Sequence, residues 1–308
     1  MNILLWHVHG SWTTAFVQGK HRYLIPVNDA RDAWGRGRAR TFDWPDTVEE
    51  HPLAEIRDAD VAIVQRPEEL ELVPPGVPVI YVEHNTPKGG VPETRHPMAD
   101  RDDLVVAHVT HFNDLFWDTG GTRTTVIEHG VVEPAARWTG EQERLAIVTN
   151  EPVRRGRVTG TDLFGRFAAV APLDVFGMGV AALGSDRITA YDDPPQARMH
   201  EMVVQRRAYL HLCRWTSLGL SLIEAMQMGM PVLGLATTEA VAAVPPDAGV
   251  LATRVDTLVE AAQWLIDDPA AAARLGARAR EVALARYGLD RFLADWDRLL
   301  QEETCASR

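Results

Sequence analysis

The stretch Thr216-Ser217-Leu218-Gly219-Leu220-Ser221-Leu222-Ile223-Glu224-Ala225-Met226, followed by Gln227-Met228-Gly229-Met230-Pro231-Val232, has the residue types of an anion site. A small-residue loop opens an amphipathic helix that stops at Gly229 and turns through Pro231 into an apolar strand. Backbone N–H groups of such a loop and of the first helical turn attract anionic oxygens, and a carboxylate about two turns in, Glu224, can accept hydrogen bonds from sugar hydroxyls. The plainer reading is a helix buried in an α/β core. A second constellation follows the apolar run Leu145–Val148: Arg154, Arg155 and Arg157 lie within four positions, beside Gly156 and Gly160 and ahead of a helical segment. Clustered guanidinium groups can neutralise a pyrophosphate and bond it bidentately. A solvated basic turn is the alternative.

Histidines mark the ends of other strands. The first strand runs into His7-Val8-His9-Gly10-Ser11-Trp12, where a glycine would let the backbone approach a phosphate, so Gly10 and Ser11 are candidates for binding a phosphate-bearing ligand. The H-x-H spacing invites a zinc reading, but no further ligand cluster completes such a site, and a packed or hydrogen-bonded pair fits better. His84 closes the buried run Pro78–Glu83 with Asn85 and Thr86, a polar group where core packing alone would not require one. His111, Asn113 and His129 are lesser candidates of the same kind. Asp58-Ala59-Asp60 has the spacing of a metal-binding pair but precedes Val61–Val64 instead of following a strand, and reads as a turn. No metal or other cofactor is expected.

The elements that must hold these residues are βα units. Apolar runs of strand length recur at Ile3–Val8, Val61–Val64, Val77–Val82, Leu104–Val109, Thr124–Ile127, Leu145–Val148, Leu173–Phe176, Tyr209–Cys213 and Val232–Leu235, with helical patterns between several of them. That alternation predicts α/β architecture with parallel sheets. The polar segment Glu133–Gln142 marks a boundary, giving domains over 1–140 and 141–286, with 287–308 as a C-terminal helix and tail. Pro269–Arg286 is an Ala/Arg-rich helix, and Leu289–Leu300 places Phe292, Leu293, Trp296, Leu299 and Leu300 on one face, with a frayed tail from Glu302.

Composition fits two α/β domains of ordinary size: 308 residues, 46% of them hydrophobic. No apolar run approaches membrane-spanning length and no signal-type segment leads the chain, so a cytoplasmic protein is expected. Two cysteines, Cys213 and Cys305, make neither a disulfide framework nor a metal cluster. A net charge of −12 argues against nucleic acid as a partner. A further basic cluster, Arg31, Arg36, Arg38 and Arg40 near Trp34, Phe42 and Trp44, reads as a solvated loop, with contact to an anionic acceptor or a membrane surface as the alternative.

The stretch from Thr216 resembles the donor motif of the retaining GT-B glycosyltransferases, E-G-F-G-L-x-x-x-E-A-M-x-x-G-x-P-V: Gly219, Leu220, Glu224, Ala225, Met226, Gly229, Pro231 and Val232 are in register. The resemblance gives Glu224 the ribose of a nucleotide sugar, while the family's first Glu, which contacts the donor sugar, is replaced by Thr216. The arginine segment resembles the family's R-x4-K-G, with Arg154 and Gly160 in register and Thr159 at the Lys position; Arg155, Arg157 or Arg214 could supply that charge. Val126-Ile127-Glu128-His129-Gly130-Val131 resembles the V-I-x-x-G-V that ends the family's first domain. The resemblance implies a GT-B fold, two Rossmann-like domains facing a cleft with a C-terminal helix crossing back. It also implies metal-free retaining transfer of a hexosyl group from a nucleotide sugar to a small-molecule, glycan or lipid-linked acceptor, with His84 orienting donor or acceptor, Arg154 and Glu224 at the reacting donor, and Ser217 and Leu218 in the donor loop. A nucleotide-sugar isomerase and a non-catalytic nucleotide-sugar-binding protein are the alternatives. Donor base, sugar and oligomeric state have no signature in the chain.

Overall fold

Runs of β-branched and aliphatic residues, too short for helices and buried on both faces, form two wholly parallel sheets in the computed structural model, which describes residues 1–306. The chain divides into two units: Met1–Val132 together with the segment from Leu289, and Glu133–Gly288.

The first unit holds β1 (Asn2–Leu5), β2 (Arg22–Pro26), β3 (Val48–His51), β4 (Val61–Val64), β5 (Val79–Glu83), β6 (Leu104–His108) and β7 (Arg123–Val126), in the sheet order β3-β2-β1-β4-β5-β6-β7. In register, Leu4 lies beside Leu24 and Ala62, and Tyr81 beside Val64 and Val106, so one face of the sheet becomes a continuous apolar layer. The carboxylates of Asp58 and Asp60 accept hydrogen bonds from Asn2 (2.9 and 2.7 Å) and tie down the start of β1. Helices α1 (Gly10–Phe16) and α2 (His111–Phe116) follow β1 and β6. The C-terminal helix, Leu289–Ala306, returns to this unit: Phe292 and Trp296 pack edge-on against Trp12, and Trp296 against Phe16. Burying such rings contributes about 1.5–3 kcal/mol each. The helix comes so close that a Cβ on Gly130 would sit 2.2 Å from that of Phe292. The frayed tail expected from Glu302 is instead helix as far as Ala306, with Glu303 buried and paired with Arg123 (2.6 Å); residues 307 and 308 lie outside the described residues.

The second unit holds β8 (Gln142–Val148), β9 (Leu173–Gly177), β10 (Ile188–Asp192), β11 (Arg206–His211), β12 (Val232–Leu235) and β13 (Gly249–Ala252), in the order β10-β9-β8-β11-β12-β13. Its helices are α3 (Pro152–Arg155), α4 (Phe164–Ala168), α5 (Gln196–Val203), α6 (Leu220–Gln227), α7 (Ala240–Ala243), α8 (Val255–Asp267) and α9 (Pro269–Tyr287), the last capped by Asp268 on the N–H of Ala271 (2.9 Å). Asp174, fully buried in β9, is held by Arg206 (2.6 Å) and Arg144 (2.9 Å), so its charge is compensated inside the sheet. In both units the strand order reverses next to the first strand, between β1 and β4 and between β8 and β11, and ligands of open parallel sheets collect at the carboxyl ends of such a reversal.

Four strands, β2, β3, β10 and β13, fall outside the apolar runs of the sequence. Three of them are sheet edges whose residues are mostly half-buried or exposed, so the hydrophobic signal is weak.

Candidate active site

The reversal in the second unit brings the loops after β8 and β11 together. Gly160 has φ +74° and its Cα faces the end of β11, where a Cβ would lie 2.2 Å from the carbonyl oxygen of Leu212; only glycine fits. The amide of Arg214 donates to the carbonyl of Val158 at 2.8 Å, which clamps the two loops to each other. Ser221, in the first turn of α6, accepts from Tyr209 Oη (3.0 Å) and donates to the Val148 carbonyl (3.4 Å), anchoring that turn to the ends of both strands. Gly219 is the N-cap of α6 and lies beside the His211 ring, whose pKa burial pushes down to about 4, so the imidazole under the loop is neutral at pH 7. Thr216 is half-buried, and Ser217 and Leu218 are buried, in the loop leading to that cap.

The arginines of this edge divide into two groups. Arg214 forms a fork on Asp162 (2.6 and 2.9 Å) and Arg157 joins it at 2.9 Å, and these bonds, those from Arg214 first, hold the Asp162 carboxyl below its ordinary range. Arg154 reaches Glu151 only at 3.5 Å and is largely exposed. Arg155 is half-buried, makes no ion pair among the described residues, and lies close enough to Cys213 to act on the thiol, whose pKa is raised by burial and lowered less by that guanidinium. Thr159 is buried, donating to the Gly156 carbonyl (3.0 Å) and bonding Thr161 Oγ1 (2.9 Å), so it pins the loop from inside.

Glu224 is buried in α6 and its carboxylate is held from α5: Gln196 Nε2 donates to Oε1 at 2.9 Å and His200 Nε2 stands 3.2 Å from Oε2. Positions 196 and 200 share one helical face, which is why both reach the same group.

In the first unit, three imidazoles from distant parts of the chain assemble at the carboxyl edge. His9, the N-cap of α1, lies with its ring centre 4.1 Å from that of His84, which follows β5; the His129 ring, after β7, is 6.4 Å from His84, and Trp12 meets His84 edge-on at 5.1 Å. Burial lowers all three pKa values, to about 3 for His129 and well below the ordinary value for His84. The His84 and His129 rings are stacked at 20° and the His9 ring is tilted by 40° from His84, and among the described residues no group of three or more His, Cys, Asp or Glu could hold a metal ion. His7 turns elsewhere, to the Gly37 carbonyl (3.1 Å) and the Trp44 ring. Gly10 opens α1 against the Phe42 ring, next to half-buried Ser11. Asn113 is buried in α2 and donates to the Glu83 carbonyl (3.2 Å), whereas His111 is exposed.

Residues 181–282 match the family model described as glycosyl transferases group 1. That matched stretch lies within the second unit. Over nearly the whole chain the fold is GT-B: sucrose-phosphate synthase from Thermosynechococcus elongatus superposes with TM-score 0.75 at 14% identity, covering 99% of this chain and 100% of that one. HepE from Anabaena, solved with UDP and glucose, gives 0.74 at 14% identity (98% and 100%), and WaaG, a glycosyltransferase of lipopolysaccharide biosynthesis, 0.68 at 12% (96% and 99%). No curated protein sequence matches significantly. Among the described residues no helix is long and apolar enough to cross a membrane.

Within the second unit, Arg154, Arg155, Thr159, Gly160, Arg214, Thr216, Ser217, Leu218 and Gly219 stand on two clamped loops, and Leu220 and Glu224 on helix α6, which the second of these loops opens. His84, Gly10 and Ser11 belong to the first unit. The sequence reading missed Gln196 and His200; their spacing of four, about one helical turn, was the available signal.

Proposed function

We propose that the protein transfers a hexosyl group from a nucleotide sugar to an acceptor hydroxyl, with retention at the anomeric carbon and without a metal ion. The observation that carries this reading is the clamped pair of loops at the β8/β11 reversal, with arginines on one and the N-terminus of α6 on the other. Breaking the bond between the anomeric carbon and the diphosphate leaves negative charge on the departing oxygen, and fixed guanidinium groups and backbone amides aimed at it lower the barrier. Arg154 and Arg155 are the guanidinium groups available for that charge, since Arg157 and Arg214 are engaged by Asp162. Glu224, oriented by Gln196 and His200, supplies the acceptor for ribose hydroxyls, and His84 orients the reacting hydroxyl from the first unit. UDP, UDP-glucose and glucose bound to HepE support a nucleotide-sugar donor here by analogy of fold. Retention rests on the resemblance of the stretch from Thr216.

The test is a thermal-shift panel of nucleotides and nucleotide sugars, because a ligand of the native state raises its melting temperature. The best donor is then followed by NMR with an acceptor panel, reading product anomer and the effect of a chelator. An inverted product removes retention, and turnover lost with the chelator removes metal independence. Donor binding without transfer or hydrolysis would favour the binding protein, the reading that Thr159 and Thr216 support.

A further inference from the structure

A cavity of about 600 Å³ opens in the first unit beyond the ends of β2 and β3, and the residues of the donor reading do not line it. Pro26, Val27, Leu53 and Leu72 make an apolar floor, Trp34 forms one wall, and Asp29, Glu68 and Glu71 stand among the lining residues. The Trp34 loop is fixed before any ligand arrives. The Asn28 amide donates to the Gly35 carbonyl (3.0 Å), the Gly37 amide to that of Pro26 (3.1 Å), and Asp32 accepts from both the Trp34 amide (2.8 Å) and the Asn28 side chain (2.9 Å). Arg66 stands over one face of the indole, its guanidinium carbon 4.2 Å from the ring centre, and does not line the cavity, while Trp34 remains 38% exposed.

The charge here has one sign. No Lys or Arg lines the cavity, and Asp29, Glu68 and Glu71 make no ion pair among the described residues. The neighbouring basic residues make no ion pair with them among the described residues: Arg31 is forked on Glu50 (2.9 and 3.0 Å), Arg38 is spent on the carbonyls of Trp44 (2.7 Å) and Pro45 (3.1 Å), Arg66 is paired with buried Glu69, and exposed Arg36 and Arg40 stand outside the lining. An apolar floor and an indole wall suit the C–H face of a sugar-sized ring, and uncompensated carboxylates favour a cation over a neutral or anionic ligand.

The geometry points to a cationic sugar-like acceptor, an amino sugar or aminocyclitol, seated in this cavity with its ring on Trp34 and its ammonium toward Glu68, Glu71 and Asp29. The inference rests on the transferase reading for the word acceptor; the binding preference stands on the cavity. A ligand so held leaves its other hydroxyls for transfer.

The test uses the full chain and three one-ring probes, methyl glucosaminide, methyl glucoside and methyl glucuronide, at a pH where the amine is protonated, read by saturation-transfer NMR and tryptophan fluorescence. The glucosaminide is expected to bind about tenfold more tightly than the glucoside, and the glucuronide more weakly still. The preference should shrink with added salt and disappear in the double variant Glu68→Gln, Glu71→Gln, while Trp34→Ala loses the glucosaminide and the glucoside alike. Equal binding of glucosaminide and glucoside, or no binding by any probe, overturns the inference. A nucleotide-sugar thermal shift on the same samples checks folding and separates the two readings. A shift without discrimination among the glycosides sinks the cationic site alone; no shift with any nucleotide sinks the donor reading and leaves the glycosides to decide the cavity.

Discussion

The two units order their strands alike, 3-2-1-4-5-6 counted within each, with β7 added at the edge of the first, yet the loops at their carboxyl edges carry different chemistry. The second unit presents guanidinium groups, a left-handed glycine and the amides of a helix start. The first presents imidazoles kept neutral by burial, with indoles around them. One edge suits a ligand of fixed negative charge; the other suits hydroxyls and rings. The shared topology puts a site at both reversals without deciding what it binds, and the residues placed there decide that.

The largest test of this contrast is acid. In the folded first unit, His9, His84, His108 and His129 all have pKa values below the 6.5 of the unfolded chain, to about 4 for His108 and about 3 for His129; in the second, His211 alone is pushed down by burial, to about 4. Above pH 6.5 these groups are neutral in both states and contribute no pH dependence. Below it the unfolded chain takes up protons that the folded one refuses, so stability falls by about 1.4 kcal/mol per pH unit for each of His108, His129 and His211 until its folded value is reached, with His9 and His84 acting in the same direction. Carboxylates with depressed pKa values, such as Glu49, act in the same direction only below about 4.5, the ordinary value for a glutamate. Between pH 6.5 and 4.5 the first unit should therefore lose protection against hydrogen exchange before the second. Simultaneous loss would show that the imidazoles are better solvated than their burial implies.

Next in size is Gly160→Val. A side chain there meets the Leu212 carbonyl and adopts φ +74°, so the clamp between the loops opens at a cost of about 3 kcal/mol or more. Urea melts should show the loss in the second unit, with donor binding abolished. A variant of wild-type stability would mean that the loops are not rigidly paired.

How much of this was legible differs between the units for the same physical reason. A small-residue loop that opens a helix needs particular residues at fixed spacing, so the run Thr216–Val232 writes its geometry into local sequence. The histidine stack is assembled from positions 9, 84 and 129, and no local pattern announces that three strand ends meet. His84 stood out as a polar residue closing an apolar run, with His129 as a lesser candidate and His9 in the H-x-H pair, but nothing in the local sequence joined the three. Likewise Arg154, Arg155 and Arg157 looked alike as a cluster, and only the position of Asp162, reached by Arg157 and Arg214, separates engaged from available charge. The cavity beside Trp34 was invisible because β2 and β3, which carry its walls, are short and end in Pro26 and His51 instead of an apolar run.

Glu224→Ala comes third. Removing a charged acceptor of ribose hydroxyls should weaken nucleotide-sugar binding by about 1.5–3 kcal/mol, measured by calorimetry on a variant whose fold is checked by circular dichroism. Unchanged affinity would detach the α6 motif from the donor.

The smallest and sharpest effect belongs to the residues behind that carboxylate. Gln196 and His200 reach Glu224 from one face of α5, at 2.9 and 3.2 Å, so their removal leaves the charge in place but frees its rotamer. Gln196→Ala should weaken donor binding by about 0.5–1.5 kcal/mol, the net worth of an ordinary hydrogen bond, and act mainly on KM. Combined with Glu224→Ala it should add almost nothing, because the glutamine acts only through the carboxylate. If the two losses add in full, Gln196 touches the nucleotide itself, and α5 becomes part of the donor site instead of a support behind it.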